Sequence, residues 1–193
     1  MDNRILALIA SFFAMTFVVI SYFVKKKERY LLFQFLCIVF LIISYFFTVQ
    51  FFAMVGLVIG LGRTYTFFLY EKKGKNASIL WAVLFSGLSL ASYLVINLWI
   101  LGEAHPLDIL FLVGLIGYAF IFRIRNLKTV RFLMLVPTIL SVLFNVLTHA
   151  ALFATLSYSF ELAANILSIL KYHVFGREKE KNPTPQIQTS ISV

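Results

Sequence analysis

Lysine and arginine fall in four tight groups along this chain, and two apolar runs separate each group from the next. The groups are Lys25, Lys26, Lys27 and Arg29; Lys72, Lys73 and Lys75; Arg123, Arg125, Lys128 and Arg131; and Lys171, Arg177, Lys179 and Lys181. Of the 17 basic residues only Arg4 and Arg63 stand outside them. Seven apolar stretches fill the space around the groups: 5–24, 31–47, 51–70, 78–101, 107–122, 130–147 and 151–175. Each approaches the length of about 20 residues that an α-helix needs to cross a bilayer. Basic loops are retained on the cytoplasmic side of a membrane, so the alternation predicts seven spans with the N-terminus outside and the C-terminus in the cytoplasm.

The composition excludes the other large classes. With 61% apolar and 13% charged residues among 193, the chain has too little polar surface for a water-soluble globule or a disordered polypeptide. Cys37 is the single cysteine, so a disulfide scaffold is excluded as well. A span in lipid must satisfy its own backbone, and the strict alternation of a membrane barrel is absent, so an all-α polytopic membrane protein is expected. The first run is longer than the apolar region of a signal peptide, lacks a small-residue cleavage site and meets a basic cluster at once. The net charge of +9 is divided among short loops and forms no basic face for nucleic acid. Membrane lipids are the expected partners of those loops. Trp81 and Trp99, near opposite ends of the fourth span, are expected at the headgroup level. Residues 176–193 turn charged and then rich in Pro, Gln, Ser and Thr, which predicts a disordered cytoplasmic tail beyond a single transmembrane domain at 1–175.

Laid over itself, the chain repeats. The unit at 5–70 runs span, basic loop, span, short turn, span, and the unit at 107–175 does the same. With a shift of about 100 residues, the turn at Thr48 overlies that at Thr148; the third and seventh spans align at a shift of 105. The span at 78–101 is left as a linker. A unit of three helices begins and ends on opposite sides, so the linker returns the chain and gives both units one orientation, a parallel repeat about an axis along the membrane normal.

This 3-1-3 plan is shared by the SWEET/PQ-loop superfamily. The chain more narrowly resembles the YgjV family of bacterial inner-membrane proteins, through its length, its plan over residues 5–175, and Arg63-Thr64 within Gly60-Leu61-Gly62-Arg63-Thr64-Tyr65. Gly60 stands where that family often has Asn. No Pro-Gln pair occurs in the first or fifth span, and the one intramembrane proline is Pro137. The wider resemblance implies transport, at the bacterial plasma membrane.

Ionisable residues inside spans are costly, and two need a reason. Arg63 lies roughly 10 Å from the basic end of its helix, near enough to snorkel toward the headgroups. Glu161 is close to the middle of its span, so it is protonated, paired or faces a wet cavity. Tyr158, Glu161, Asn165, Ser168 and Tyr172 follow one another by three or four and form one polar stripe. Gly56, Gly60, Arg63 and Phe67 make the matching stripe of the third span. The two stripes are expected to line a central site for a small polar solute, with Arg63 and Glu161 paired directly or through that solute. Gly56-xxx-Gly60 reads equally as a close helix contact. Asn97, Asn145 and Gln50 fit either a solute path or hydrogen bonds between helices, and His105 and His149 belong to external turns.

No nucleophile, cofactor or metal-ligand spacing is present, so neither catalysis nor a cofactor is expected. Two function classes follow. The first is a passive or ion-coupled small-solute transporter; the second is a non-transporting receptor or assembly partner whose polar stripe serves helix packing. Homo-oligomerisation is compatible with both.

Overall fold

The computed structural model describes residues 3–47, 51–100, 102, 106–148 and 152–175, and every regular element among them is helical. They are α1 (Asn3–Phe23), α2 (Lys27–Phe47), α3 (Phe51–Lys72), α4 (Ile79–Tyr93), α5 (Asp108–Ile121), α6 (Leu127–Leu133), α7 (Leu135–Leu147) and α8 (Leu152–Ile169). Wider π-helical turns at Leu94–Ile100 and Leu170–Phe175 prolong α4 and α8. Taking α6 and α7 as one broken rod gives seven helices. Among the described residues five helical stretches are long and apolar enough to span a membrane: Ile5–Phe23, Lys27–Phe47, Ala53–Lys72, Ile79–Asn97 and Leu127–Leu147. The 14-residue α5 is apolar but shorter.

The polarity is that of a protein dissolved in lipid. Ser11, Ser21, Gln34, Ser44, Arg63, Asn145, Glu161 and Asn165 are buried, whereas Phe12, Leu32, Val58, Leu80, Val136 and Leu167 are exposed. Lipid solvates an outward apolar side chain at no cost, so burial is left for small and polar groups that pack or hydrogen-bond between helices. In α1 the buried face is Ala7, Ala10, Ser11, Ala14, Val18, Ser21 and Tyr22, a stripe of mostly small side chains at helical spacing that ends in one large ring. It admits α2 on one side and α8 on the other.

Neighbours in sequence are mostly neighbours in space. α1 packs on α2, α2 on α3, α5 on α7 and α7 on α8, while α1 against α8 and α3 against α5 close the circle. α4 lies outside that circle, touching α3 and α5 and burying only Ala82, Phe85 and Ser89. Side-chain bonds gather the basic loops at one end of the bundle, here the basic end. Lys27 pairs with Glu71 at 3.0 Å, Arg123 Nε donates to Ala77 O at 3.1 Å, and Arg131 Nη2 donates to Val24 O at 2.6 Å. At Gly74 the φ of 66° turns the chain out of α3, letting Lys75 N reach back to Tyr70 O at 3.0 Å.

The sixth span, expected as one helix over 130–147, starts earlier and is broken at Met134. Pro137 has no N–H to give the carbonyl four residues back, and its ring crowds that carbonyl, which accounts for the interruption. Gly114 and Gly117 of α5 face it: a Cβ on either would stand 3.5 Å from Pro137. The turn at 48–50 and the tail at 176–193 lie outside the described residues, as do Gln50, His105 and His149.

Candidate functional site

Arg63 is 3% exposed, so it does not snorkel. Its Nη1 donates to Leu115 O of α5 at 2.7 Å, and its guanidinium carbon lies 5.4 Å from the ring centres of Tyr118 and Phe122. A charge-assisted bond and two aromatic faces replace part of the water it has lost. Gly60, one turn earlier, makes the pose fit, because a Cβ there would stand 3.3 Å from Arg63 Nη2. Gly56 has the other duty expected of this spacing. Its Cβ would meet Leu115 Cδ1 at 2.7 Å and Phe111 Cε1 at 3.3 Å, so it is the close contact between α3 and α5.

Glu161 is equally enclosed, at 5% exposure. Tyr22 of α1 donates its hydroxyl to Glu161 Oε1 at 2.8 Å, and Gln34 of α2 stands beside the carboxyl while its Nε2 donates to Ser21 Oγ at 3.1 Å. The directly paired arrangement of Arg63 and Glu161 is not what the structure contains. Among the described residues the one ion pair is Lys27–Glu71, and each intramembrane charge is held by its own neighbours instead.

The two ionisable side chains nevertheless share a cavity. Arg63 of α3, Leu115 and Tyr118 of α5, Tyr158 and Glu161 of α8, and Gln34 and Cys37 of α2 all line it. The cavity measures about 30 Å³, room for one or two waters. Any larger occupant requires the surrounding helices to part.

The rest of the α8 stripe is divided by depth. Tyr158 reaches the cavity. Asn165 is fully buried one turn past Glu161, and neither its Oδ1 nor its Nδ2 has a hydrogen-bond partner among the described residues. Ser168 is spent on the carbonyl of Asn165 at 2.9 Å. Tyr172 lies away from the cavity at the basic end, where its hydroxyl donates to Phe23 O at 2.8 Å and its ring lies 4.4 Å beneath Arg131. Asn145 accepts from Tyr45 at 3.1 Å, and Asn97 donates to Asp108 at 2.7 Å, so both serve helix packing. Trp81 ties α4 to α3 through Nε1 and Tyr70 Oη at 3.1 Å, and Trp99 is exposed.

Tyr22 and Gln34 were not foreseen as site residues. Gln34 did leave a signal, as a lone amide inside an apolar span; Tyr22 left none, being an aromatic near a helix end like many others here.

No curated protein and no solved structure matches the chain. A model of the Imp-YgjV family, described as a bacterial inner membrane protein, matches residues 5–174. With its several apolar helices and lipid-facing exterior, the chain is a multi-pass protein of the bacterial inner membrane. Because the match spans nearly all of the bundle, the chain belongs to the Imp-YgjV family.

Proposed function

We propose that this protein is a small-solute transporter built from two three-helix units, α1–α3 and α5–α8, joined by α4 and rocking about the central cavity. The basic end faces the cytoplasm, the orientation that the positive loops favour, and the plan is that of the SWEET/PQ-loop superfamily. One observation carries the reading. Each intramembrane charge lines the shared cavity and bonds across a different seam between the units: Arg63 from α3 to Leu115 of α5, Glu161 on α8 from Tyr22 of α1. Opening either seam releases one charge into the cavity, where a small polar solute takes the place of the lost partner.

Internal register supports the two units. Ser11 and Ser44 meet at 2.7 Å between α1 and α2, and the positions 100 residues on, Phe111 and Phe144, meet at 5.0 Å between ring centres in α5 and α7. Purified protein in liposomes tests the reading by solute uptake. Flux of one class of small polar solute, lost in folded Arg63→Gln and Glu161→Gln variants, is the expected result. Wild-type flux in both variants removes the site. If both variants only lower thermal stability and no solute in a metabolite panel stabilises the protein, the polar stripe serves packing in a non-transporting receptor or assembly partner.

A further inference from the structure

The buried polar atoms that lack partners are concentrated on one side of Glu161. Among the described residues they are Tyr30 Oη, Arg63 Nε, Arg131 Nε and both amide atoms of Asn165. Arg63 belongs to the cavity; the others mark a column from Glu161 to the basic end. Asn165 is one turn below Glu161 on the same face of α8. Tyr30 packs edge-on against Tyr22, with ring centres 5.6 Å apart; its hydroxyl comes near that of Tyr22 without meeting hydrogen-bond geometry, and it stands within electrostatic reach of Glu161 and of Arg131. Arg131 ends the column, bonded to Val24 O and stacked on Tyr172. Toward the opposite end the polar groups have partners: Ser157 donates to the Ser11 backbone carbonyl at 3.3 Å, the Ser11 and Ser44 hydroxyls bond each other, and Tyr45 donates to the Asn145 side-chain oxygen.

An unpartnered buried hydroxyl or amide costs far more than one that meets water, and a water held by two to four such atoms is a regular part of folded proteins. We infer that Glu161 exchanges its proton with the cytoplasmic side through this column, by way of Tyr22, Tyr30, Asn165 and intervening water, with Arg131 as the plug. The cytoplasmic direction rests on the orientation proposed above. In the elementary step Tyr22 passes its hydroxyl proton to the Glu161 carboxylate and takes another from a water of the column; that water is reprotonated from the cytoplasm. One O–H bond forms at Glu161, and the net proton comes from the aqueous phase.

The groups facing Glu161 allow this. Tyr22 comes from α1, Tyr30 and Cys37 from α2, Arg63 from α3, Tyr118 from α5, and Tyr158 from α8 itself. Arg131 of α6 acts from the far side of Tyr30, and α7 carries no titratable residue. No cation lies close enough to Glu161 among the described residues to form an ion pair and replace a proton there.

Infrared spectroscopy of the full chain in proteoliposomes, without solute, tests the route apart from transport. The carboxylic C=O band that disappears in Glu161→Gln should shift upward in Tyr22→Phe, which removes its hydrogen bond. Its exchange after transfer to D₂O should slow about tenfold in Tyr30→Phe and in Asn165→Leu, the barrier cost of roughly one hydrogen bond, and accelerate in Arg131→Gln. Tyr30→Phe keeps the ring and alters only the hydroxyl, so it retains the fold. Absence of a Glu161 carboxylic band at every pH where the protein is folded, or wild-type exchange rates in both slow variants, overturns the proposal. Exchange that responds as expected in a protein that moves no solute leaves the route standing and removes the transporter.

Discussion

Tyr45 donates a 3.1 Å hydrogen bond to Asn145, the residue 100 positions further along the chain. Both side chains are buried, and Asn145 Nδ2 also donates to Ser141 O at 2.7 Å. In the proposed repeat these positions are equivalent, so their contact sits where the two units meet on their axis. A double-mutant cycle on Tyr45→Phe and Asn145→Ala should show a coupling of about 0.6 kcal/mol and no more than about 1.7 kcal/mol, the range for hydrogen bonds between membrane helices. Strict additivity of the two melting-point changes would show that the bond contributes nothing to the axis.

Gly56 offers a steric test of the α3–α5 seam. An isoleucine there must displace Leu115 and Phe111, and overpacking of this kind costs about 1–3 kcal/mol. Thermal unfolding in detergent should therefore fall clearly for Gly56→Ile. Gly62→Ala is the control, because its Cβ meets Phe85 at an ordinary 3.7 Å and should leave the melting point in place.

Gly60 separates the pose of Arg63 from its charge. A valine at 60 leaves the guanidinium present but pushes it from the space beside the helix, so solute flux should fall while the protein remains folded. Arg63→Lys should fail similarly, because a lysine is a point charge without the planar fork that bonds Leu115 O and lies over two rings. Full flux in Arg63→Lys would mean that charge suffices there and geometry does not.

The Lys27–Glu71 pair joins the start of α2 to the end of α3 at the basic end, with 6% and 18% of the side chains exposed. Removing either partner strands the other in a largely buried site and should cost about 1–3 kcal/mol. Exchanging them as Lys27→Glu with Glu71→Lys should recover most of that loss. If the exchange unfolds as readily as either single change, the surrounding Arg123, Arg125 and Lys75 fix the sign at each position.

Much of this architecture is legible in the residues. Basic clusters and apolar runs mark the helices, and the three-and-four spacing of Tyr158, Glu161, Asn165 and Ser168 marks a buried face that the structure contains. Local spacing cannot show what meets that face. The donor to Glu161 is Tyr22, 139 positions away, and the acceptor for Arg63 is a backbone carbonyl, which no side-chain pattern announces. Matching opposite charges suggested a pair between Arg63 and Glu161. The folded bundle offers Arg63 a carbonyl and two aromatic faces, and Glu161 a hydroxyl, so neither needs the other. Pro137 stands out in the sequence as the one intramembrane proline, but the span around it is expected unbroken; the break falls three residues earlier at Met134, because a proline disrupts the turn that precedes it.

Cys37 makes the central claim directly measurable. It is the only cysteine, it is buried, and it lines the cavity between Glu161 and Arg63. A membrane-impermeant thiol reagent can be applied to right-side-out and to inverted vesicles of the unaltered protein. A cavity that opens alternately to the two faces predicts that Cys37 is modified from both sides, slowly, and that a transported solute changes the two rates in opposite directions or blocks both. A folded protein whose Cys37 resists the reagent from both faces, with and without solute, would contradict the account.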